Sequence, residues 1–297
     1  MISKAEIKKI KKLHLKTSLM VDNMMAGQYR SVFRGCGMEF EEVREYRPGD
    51  EVRAIDWKVS ARLGKTYVKV FREEREACVV LLVDMSSSNL FGSTGMTKME
   101  KAAEVAALVS YVAIKNNDRA GLILFTDKVE LYIPPGKGPS HVWRIIRAVY
   151  TFNSGKGAKT DIKKALDFFA KVAPIKSLCF LISDFNSPPF EKEIKMLKPR
   201  HEIIAVKIGD KNDFYLPSDG IVSFRDPETG REFLFDSGFK DSREKWLDKA
   251  QAYKNGISLF FKKCGIDLLE LNTDDSSGDM LVKYFRYRHL RVQKSNG

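Results

Sequence analysis

The stretch VVLLVDMSSS, Val79–Ser88, decides the fold. Its first half is an unbroken apolar run rich in β-branched residues, with Ala77 and Cys78 just upstream. The run is far too short to cross a bilayer, which takes roughly 20 residues. It reads as a strand buried on both faces, as in a parallel sheet covered by helices. The run then ends on an acid and, after Met85, on Ser86, Ser87 and Ser88. A buried strand does not need that ending. The tip of the strand is expected to need oxygen.

Downstream, the pattern alternates. Helical spacing of Met99, Ala102, Ala103, Ala106, Val109, Ala113 and Ile114 predicts a helix over 98–116. Strands are expected at 120–125, 129–133, 178–183, 203–208 and 266–271, and helices at 141–150, 161–172, 190–197, 241–263 and 280–288. Residues 222–235 read as a hairpin about DPETG. Strands that alternate with helices pair in parallel through right-handed crossovers. Residues 77–297 are therefore expected to form a doubly wound, mostly parallel α/β domain with an inserted β-hairpin near 221–236. Such sheets bind ligands beyond the carboxyl ends of their strands, where the strand order reverses.

Upstream the texture differs. Residues 1–26 suit a helix whose lysines, Lys4 to Lys16, crowd its polar faces. That helix is either a packed helix with a solvated basic side or one that contacts a membrane surface or an acidic partner. Residues 27–76 interleave charges with aromatics and read as a small, mostly β subdomain. In RPGD, Pro48 and Gly49 fit the central positions of a type II turn. Asp50 is expected to cap a short helix carrying Val52, Ile55 and Val59, with Gly64 past its end. TYVKVF then alternates as a strand.

Asp84 falls at the carboxyl end of the first strand of the α/β domain, with Ser86 and Ser88 at two-residue spacing. Thr160 and Asp161 stand before a helix, after GKGAK, and Asp184 ends the strand LCFLIS. If the first and fourth strands are neighbours, these oxygens converge. Thr160 is a natural N-cap for a helix starting at Asp161, whose acid suits the helix dipole. An oxygen-only set of hydroxyls and carboxylates suits Mg²⁺, Mn²⁺ or Ca²⁺ rather than zinc or copper. Strand-end turn chemistry at Asp84 and Asp184 is the plainer alternative.

DMSSS resembles the Asp-x-Ser-x-Ser signature of von Willebrand factor A domains. The resemblance implies a metal-ion-dependent adhesion site. Ser86, Ser88 and Thr160 would touch the ion, with Asp84 and Asp184 bound directly or through water. Ala158 and Lys159 stand where that family often has small glycines. The segment GCGMEFEEVREYRPGDEVRAIDWKVSARLGKTYVKVFREERE is in turn similar to the bacterial family called domain of unknown function fifty-eight. That likeness runs from about Gly27 to at least Phe185. It implies an accessory factor to a MoxR-type AAA+ ATPase, acting in assembly or activation of other complexes.

The charged segment offers Arg44, Arg47, Arg53, Asp56, Trp57 and Arg62 as partner-binding residues, or as a structural ion-pair network. The net charge of +12 over 297 residues admits nucleic acid, anionic lipid or an acidic protein. Nucleic acid is the weaker expectation. Catalysis finds little support. GKGAKT lacks the glycine that a phosphate-binding loop needs before Lys-Thr. No Gly-x-Ser-x-Gly elbow occurs, and His14, His141, His201 and His289 are scattered, so a metal-dependent hydrolase ranks below a binding protein. Cys36, Cys78, Cys179 and Cys264 form no Cys-x-x-Cys pair. With no signal peptide in view, a cytoplasmic setting is expected, with peripheral membrane association as an option.

Overall fold

The computed structural model describes residues 37–295 apart from positions 75, 94, 154, 156, 175, 214 and 216–219. The basic helix expected over 1–26, its membrane contact and Cys36 lie outside the described residues.

The Val79 run is strand β3, Cys78–Asp84, buried along its whole length. Strand geometry sends successive side chains to opposite faces. Val79, Leu81 and Val83 accordingly enter one apolar layer, and Val80 and Leu82 enter the other. Both layers must be covered, and helices cover them. Upstream of β3 lie β1, Gly37–Glu45, α1, Trp57–Leu63, and β2, Tyr67–Glu74. After β3 come α2, Lys98–Lys115, β4, Arg119–Phe125, β5, Val129–Gly136, and α3, Pro139–Thr151. Then follow α4, Ile162–Val172, β6, Leu178–Ser183, α5, Glu191–Leu197, and β7, Glu202–Gly209. The chain continues through the hairpin of β8, Ile221–Arg225, and β9, Glu232–Asp236, into α6, Lys240–Cys264. It closes with β10, Asp267–Asn272, and α7, Ser277–Ser295.

The six-stranded sheet has the order β10-β7-β6-β3-β4-β5. Every pairing is parallel except the β4–β5 hairpin. The sheet is thus doubly wound and mostly parallel, as the von Willebrand factor A resemblance implied. Helices α2, α3 and α7 cover the Val79 face, and α4, α5 and α6 the Val80 face. Strands β3 and β6 are neighbours. The chain first winds outward through β4 and later returns to the other side of β3, so the strand order reverses between β3 and β6.

The upstream unit pairs β1 with β2 antiparallel, with a register shift between Phe40 and Glu42. Arg47–Asp50 is a turn, closed by Asp50 N–H on Arg47 O at 3.0 Å, with Gly49 at φ +107°. The expected helix cap at Asp50 is corrected. Ile55 bridges to Val68 of β2, which stops any helix running from Val52 through Val59. The next acid takes over: Asp56 accepts N–H groups of Lys58 and Val59 at 3.0 and 3.2 Å and caps α1. Gly64 ends α1 in the left-handed conformation, as expected.

Candidate functional site

The site begins where β3 ends. Asp84 is 1% exposed. Its Oδ2 accepts Ser183 Oγ at 2.6 Å, and its Oδ1 accepts Ser86 N–H at 2.9 Å. Ser183 is the last residue of β6, so one hydrogen bond ties the tips of the two central strands together. Ser86 and Ser88 share a hydrogen bond at 3.1 Å between their hydroxyls, and Asn89 Nδ2 donates to Ser86 Oγ at 3.2 Å. The two-residue spacing therefore does place both hydroxyls on one side of the loop.

Ser87 points elsewhere and joins the second loop. Its N–H donates to Ala158 O, and its Oγ accepts Ala158 N–H, both at 2.9 Å. This reciprocal pair carries Thr160 toward the serines. The expected cap at Thr160 is displaced by one residue: Asp161 caps α4, accepting Lys164 N–H at 3.2 Å. That shift leaves the Thr160 hydroxyl available for the site. Thr160 is 5% exposed, and its Oγ1 donates to Glu228 Oε1 at 3.3 Å.

The third segment is Asp184. Its Oδ1 accepts Asn186 N–H at 3.1 Å. Phe185, directly after it, has φ +62°, where a bulky side chain is strained by about 1–3 kcal/mol. Ser183 Oγ holds the Phe185 N–H at 2.9 Å, and the Phe185 ring packs edge-on against Phe261 with centroids 4.8 Å apart. These contacts keep the turn that presents Asp184.

Burial first, and the Asp184 carboxylate second, push the Asp84 carboxyl up to about 7, against the hydrogen bonds from Ser183 and Ser86. Burial likewise raises the Glu228 carboxyl, helped by Asp184 and opposed by the Thr160 hydroxyl. Among the described residues, no ion pair reaches Asp84 or Asp184. Two carboxylates close enough to act on each other, with the buried Lys207 acting on Asp184 but no ion pair made to either, beside three hydroxyls, are a donor set that a small hard cation satisfies. On that chemistry, Asp84, Ser86, Ser88, Thr160 and Asp184 fit a divalent ion. The set is unlike a carboxylate-rich site. Among the described residues, no group of three or more His, Cys, Asp or Glu is arranged to hold a metal.

The far end of the serine loop is staked to the next strands. Asp210, after β7, accepts Ser93 N–H and Oγ at 3.0 and 2.5 Å and Thr273 Oγ1 at 2.6 Å. Burial would raise this acid, but those hydrogen bonds outweigh it and hold it at about 2.

The partner-binding candidates lie apart from this cradle. Arg44 grips Asp50 with two hydrogen bonds of 2.7 Å, and Asp50 is held at about 2, chiefly by Arg44 and next by the Arg47 N–H. Arg47, Arg53 and Arg62 are exposed, and Trp57 is 69% exposed. The segment is thus one bidentate pair and one capped helix beside an open face of arginines and a tryptophan. Ser183, Asn89 and Glu228 are parts of the cradle that sequence reading missed. Ser183 was visible only as the last residue of a strand, and Glu228 only as part of a hairpin turn. Two grooves, of about 420 and 750 Å³, line β10 and α7, and neither includes a cradle residue.

Fold and cradle together define a doubly wound α/β protein with an oxygen-donor site at its switch point. The chain belongs to the family described as Protein of unknown function DUF58, whose model matches residues 42–255. That match takes in the hairpin and much of α6, beyond the stretch where the sequence likeness was plainest. An uncharacterized protein of Mycobacterium tuberculosis is 29% identical over 269 residues, 89% of this chain and 84% of its own. Among solved structures, the conserved hypothetical protein BatB from Bacteroides thetaiotaomicron overlaps 71% of this chain and 98% of its own, at 12% identity and TM-score 0.47. Proximal thread matrix protein 1 from the mussel byssus, solved with a zinc-occupied MIDAS motif, overlaps 46% of this chain and 38% of its own, at 21% identity and TM-score 0.37. Among the described residues, no helix is long and apolar enough to cross a membrane.

Proposed function

We propose that this chain is a non-enzymatic binding module that engages an acidic group of a protein partner through a divalent cation held at the switch point. Asp84, Ser86, Ser88, Thr160 and Asp184 would hold the ion. One observation carries the reading: a buried pair of carboxylates, Asp84 and Asp184, set among hydroxyls with no described ion pair. The ion would supply positive charge and an open coordination position for an incoming carboxylate. The chain's own residues do the rest. Ser183 and Ser86 orient Asp84, the Ser87–Ala158 pair fixes the distance between the two hydroxyl loops, and Phe185 turns Asp184 inward.

A binding role is favoured over hydrolysis by where the described histidine side chains lie. His141 bonds Ala120 O at the start of β4, and His201, just before β7, packs edge-on against Phe169. Both sit at the amino-terminal edge of the sheet, opposite the cradle, so neither is placed to activate water there. The family resemblance points to a MoxR-type AAA+ ATPase as partner, with the exposed arginines and Trp57 adding specificity.

The test uses purified full-length chain and the MoxR-type ATPase of the same genome. Binding is measured by surface plasmon resonance in Mg²⁺ and in EDTA. Expected is capture in Mg²⁺ that EDTA and Ser86→Ala each reduce at least tenfold. Binding that survives both would remove the cation bridge from the account.

A further inference from the structure

Glu228 sits at the tip of the β8–β9 hairpin, yet its carboxylate turns back to the Thr160 hydroxyl at 3.3 Å. That direction needs a cause. The charges acting on Glu228 from nearby include Asp184 and Asp226, both negative, against Lys159. A flexible glutamate on an otherwise open hairpin relieves such repulsion by turning into water. Instead the tip is built to hold it in place. Asp226 Oδ1 accepts Glu228 N–H at 2.9 Å, Asp226 Oδ2 accepts Thr229 Oγ1 at 2.5 Å, and Gly230 N–H returns to Asp226 O at 2.8 Å. The facing loop is shaped to receive it. Gly157 has φ +82°, and a Cβ there would lie 3.3 Å from Glu228 O. The hairpin base is anchored separately, where Phe235 packs on Trp246 at 5.5 Å and Ser237 N–H bonds Gly220 O at 2.8 Å.

We propose that Glu228 is an acidic ligand supplied in cis: the hairpin tip would offer its carboxylate to a cation held by the hydroxyls of Ser86, Ser88 and Thr160, in the place of a partner's acid, with Asp84 and Asp184 acting on the ion through water. This rests on the binding reading above and adds regulation to it. The free molecule is self-capped, and a partner engages the ion only by displacing the tip. The displacement is local, since the tip and the base of the hairpin are held by different contacts.

The experiment measures Mn²⁺ binding by titration calorimetry on the full-length chain, for wild type, Glu228→Gln, Glu228→Ala and the charge control Glu232→Gln. Expected is a loss of about tenfold or more in Mn²⁺ affinity for both Glu228 variants and none for Glu232→Gln. Millimolar acetate should restore affinity to Glu228→Ala, whose space is free, and leave wild type unchanged. Amide exchange over 221–236 should slow on adding Mn²⁺ in wild type and not in Glu228→Gln. Should Ser86→Ala lose Mn²⁺ while Glu228→Gln binds like Glu232→Gln, the cis ligand is refuted and the cradle stands. If wild type binds no Mn²⁺, both fall.

Discussion

Asp84 is pulled two ways. Two hydrogen bonds favour its charged form, while burial and Asp184 oppose it. Ser183 is the hinge of this balance, because one hydroxyl both donates to Asp84 and accepts the Phe185 N–H. Ser183→Ala removes both contacts in a site that is fully buried. A loss of about 1–3 kcal/mol is expected in urea unfolding. The variant should also bind Mn²⁺ more weakly, because Asp84 is no longer aimed. An unchanged unfolding midpoint would mean that water replaces the hydroxyl without loss. At this scale, Asp84, Ser86, Ser88 and Asp184 were legible, because strand ends and two-residue spacing are local facts. Glu228 was not. Its partner Thr160 lies 68 positions away, and no local pattern encodes which way a hairpin leans.

Secondary structure was legible wherever periodicity ran long, and its ends were set by single capping contacts. The last helix was expected from 280 but starts at Ser277, because Ser276 Oγ accepts Asp279 N–H at 3.3 Å and opens it a turn sooner. The caps at Asp56 and Asp161 moved from Asp50 and Thr160 for tertiary reasons, a strand bridge in one case and the neighbouring serine loop in the other. Helices also reach each other through buried charge. Lys101 on α2 pairs with Glu104 at 2.9 Å and donates to Asp275 O at 2.8 Å, and Ser277 Oγ donates to the same glutamate at 3.1 Å. This knot joins α2 to the start of α7. Lys101→Ala would take the cation away from the buried Glu104 carboxylate and leave it the Ser277 hydroxyl, at a cost of about 3–5 kcal/mol. Thermal unfolding and amide exchange in α7 report it. Exchange that rises only within α2 would show that the knot does not couple the two helices.

For the molecule as a whole, Asp210 makes acid stability a readout of the carboxyl edge of the sheet. Its folded value of about 2 lies below the 3.8 of an unfolded aspartate. The contribution is complete above about pH 4 and is lost as pH falls from 3.8 toward 2, since the unfolded chain takes up the proton first. Denaturant midpoints measured between pH 6 and pH 2 should drop below pH 4 in wild type. The drop should be shallower in Asp210→Asn, and identical slopes would assign the acid response to other groups. The global architecture itself was readable, because an apolar run buried on both faces has few homes besides a helix-covered parallel sheet.

The bond between Asp84 and Ser183 spans 99 positions of chain. The cradle's halves therefore meet only after the crossovers through α2 and α4 have both docked. A complete but unfolded polypeptide carries every donor atom of the proposed site and still does not bring them together. Anything that recognised this edge would in effect inspect finished molecules, so the proposed binding role would double as a maturity stamp that an unfolded chain cannot counterfeit.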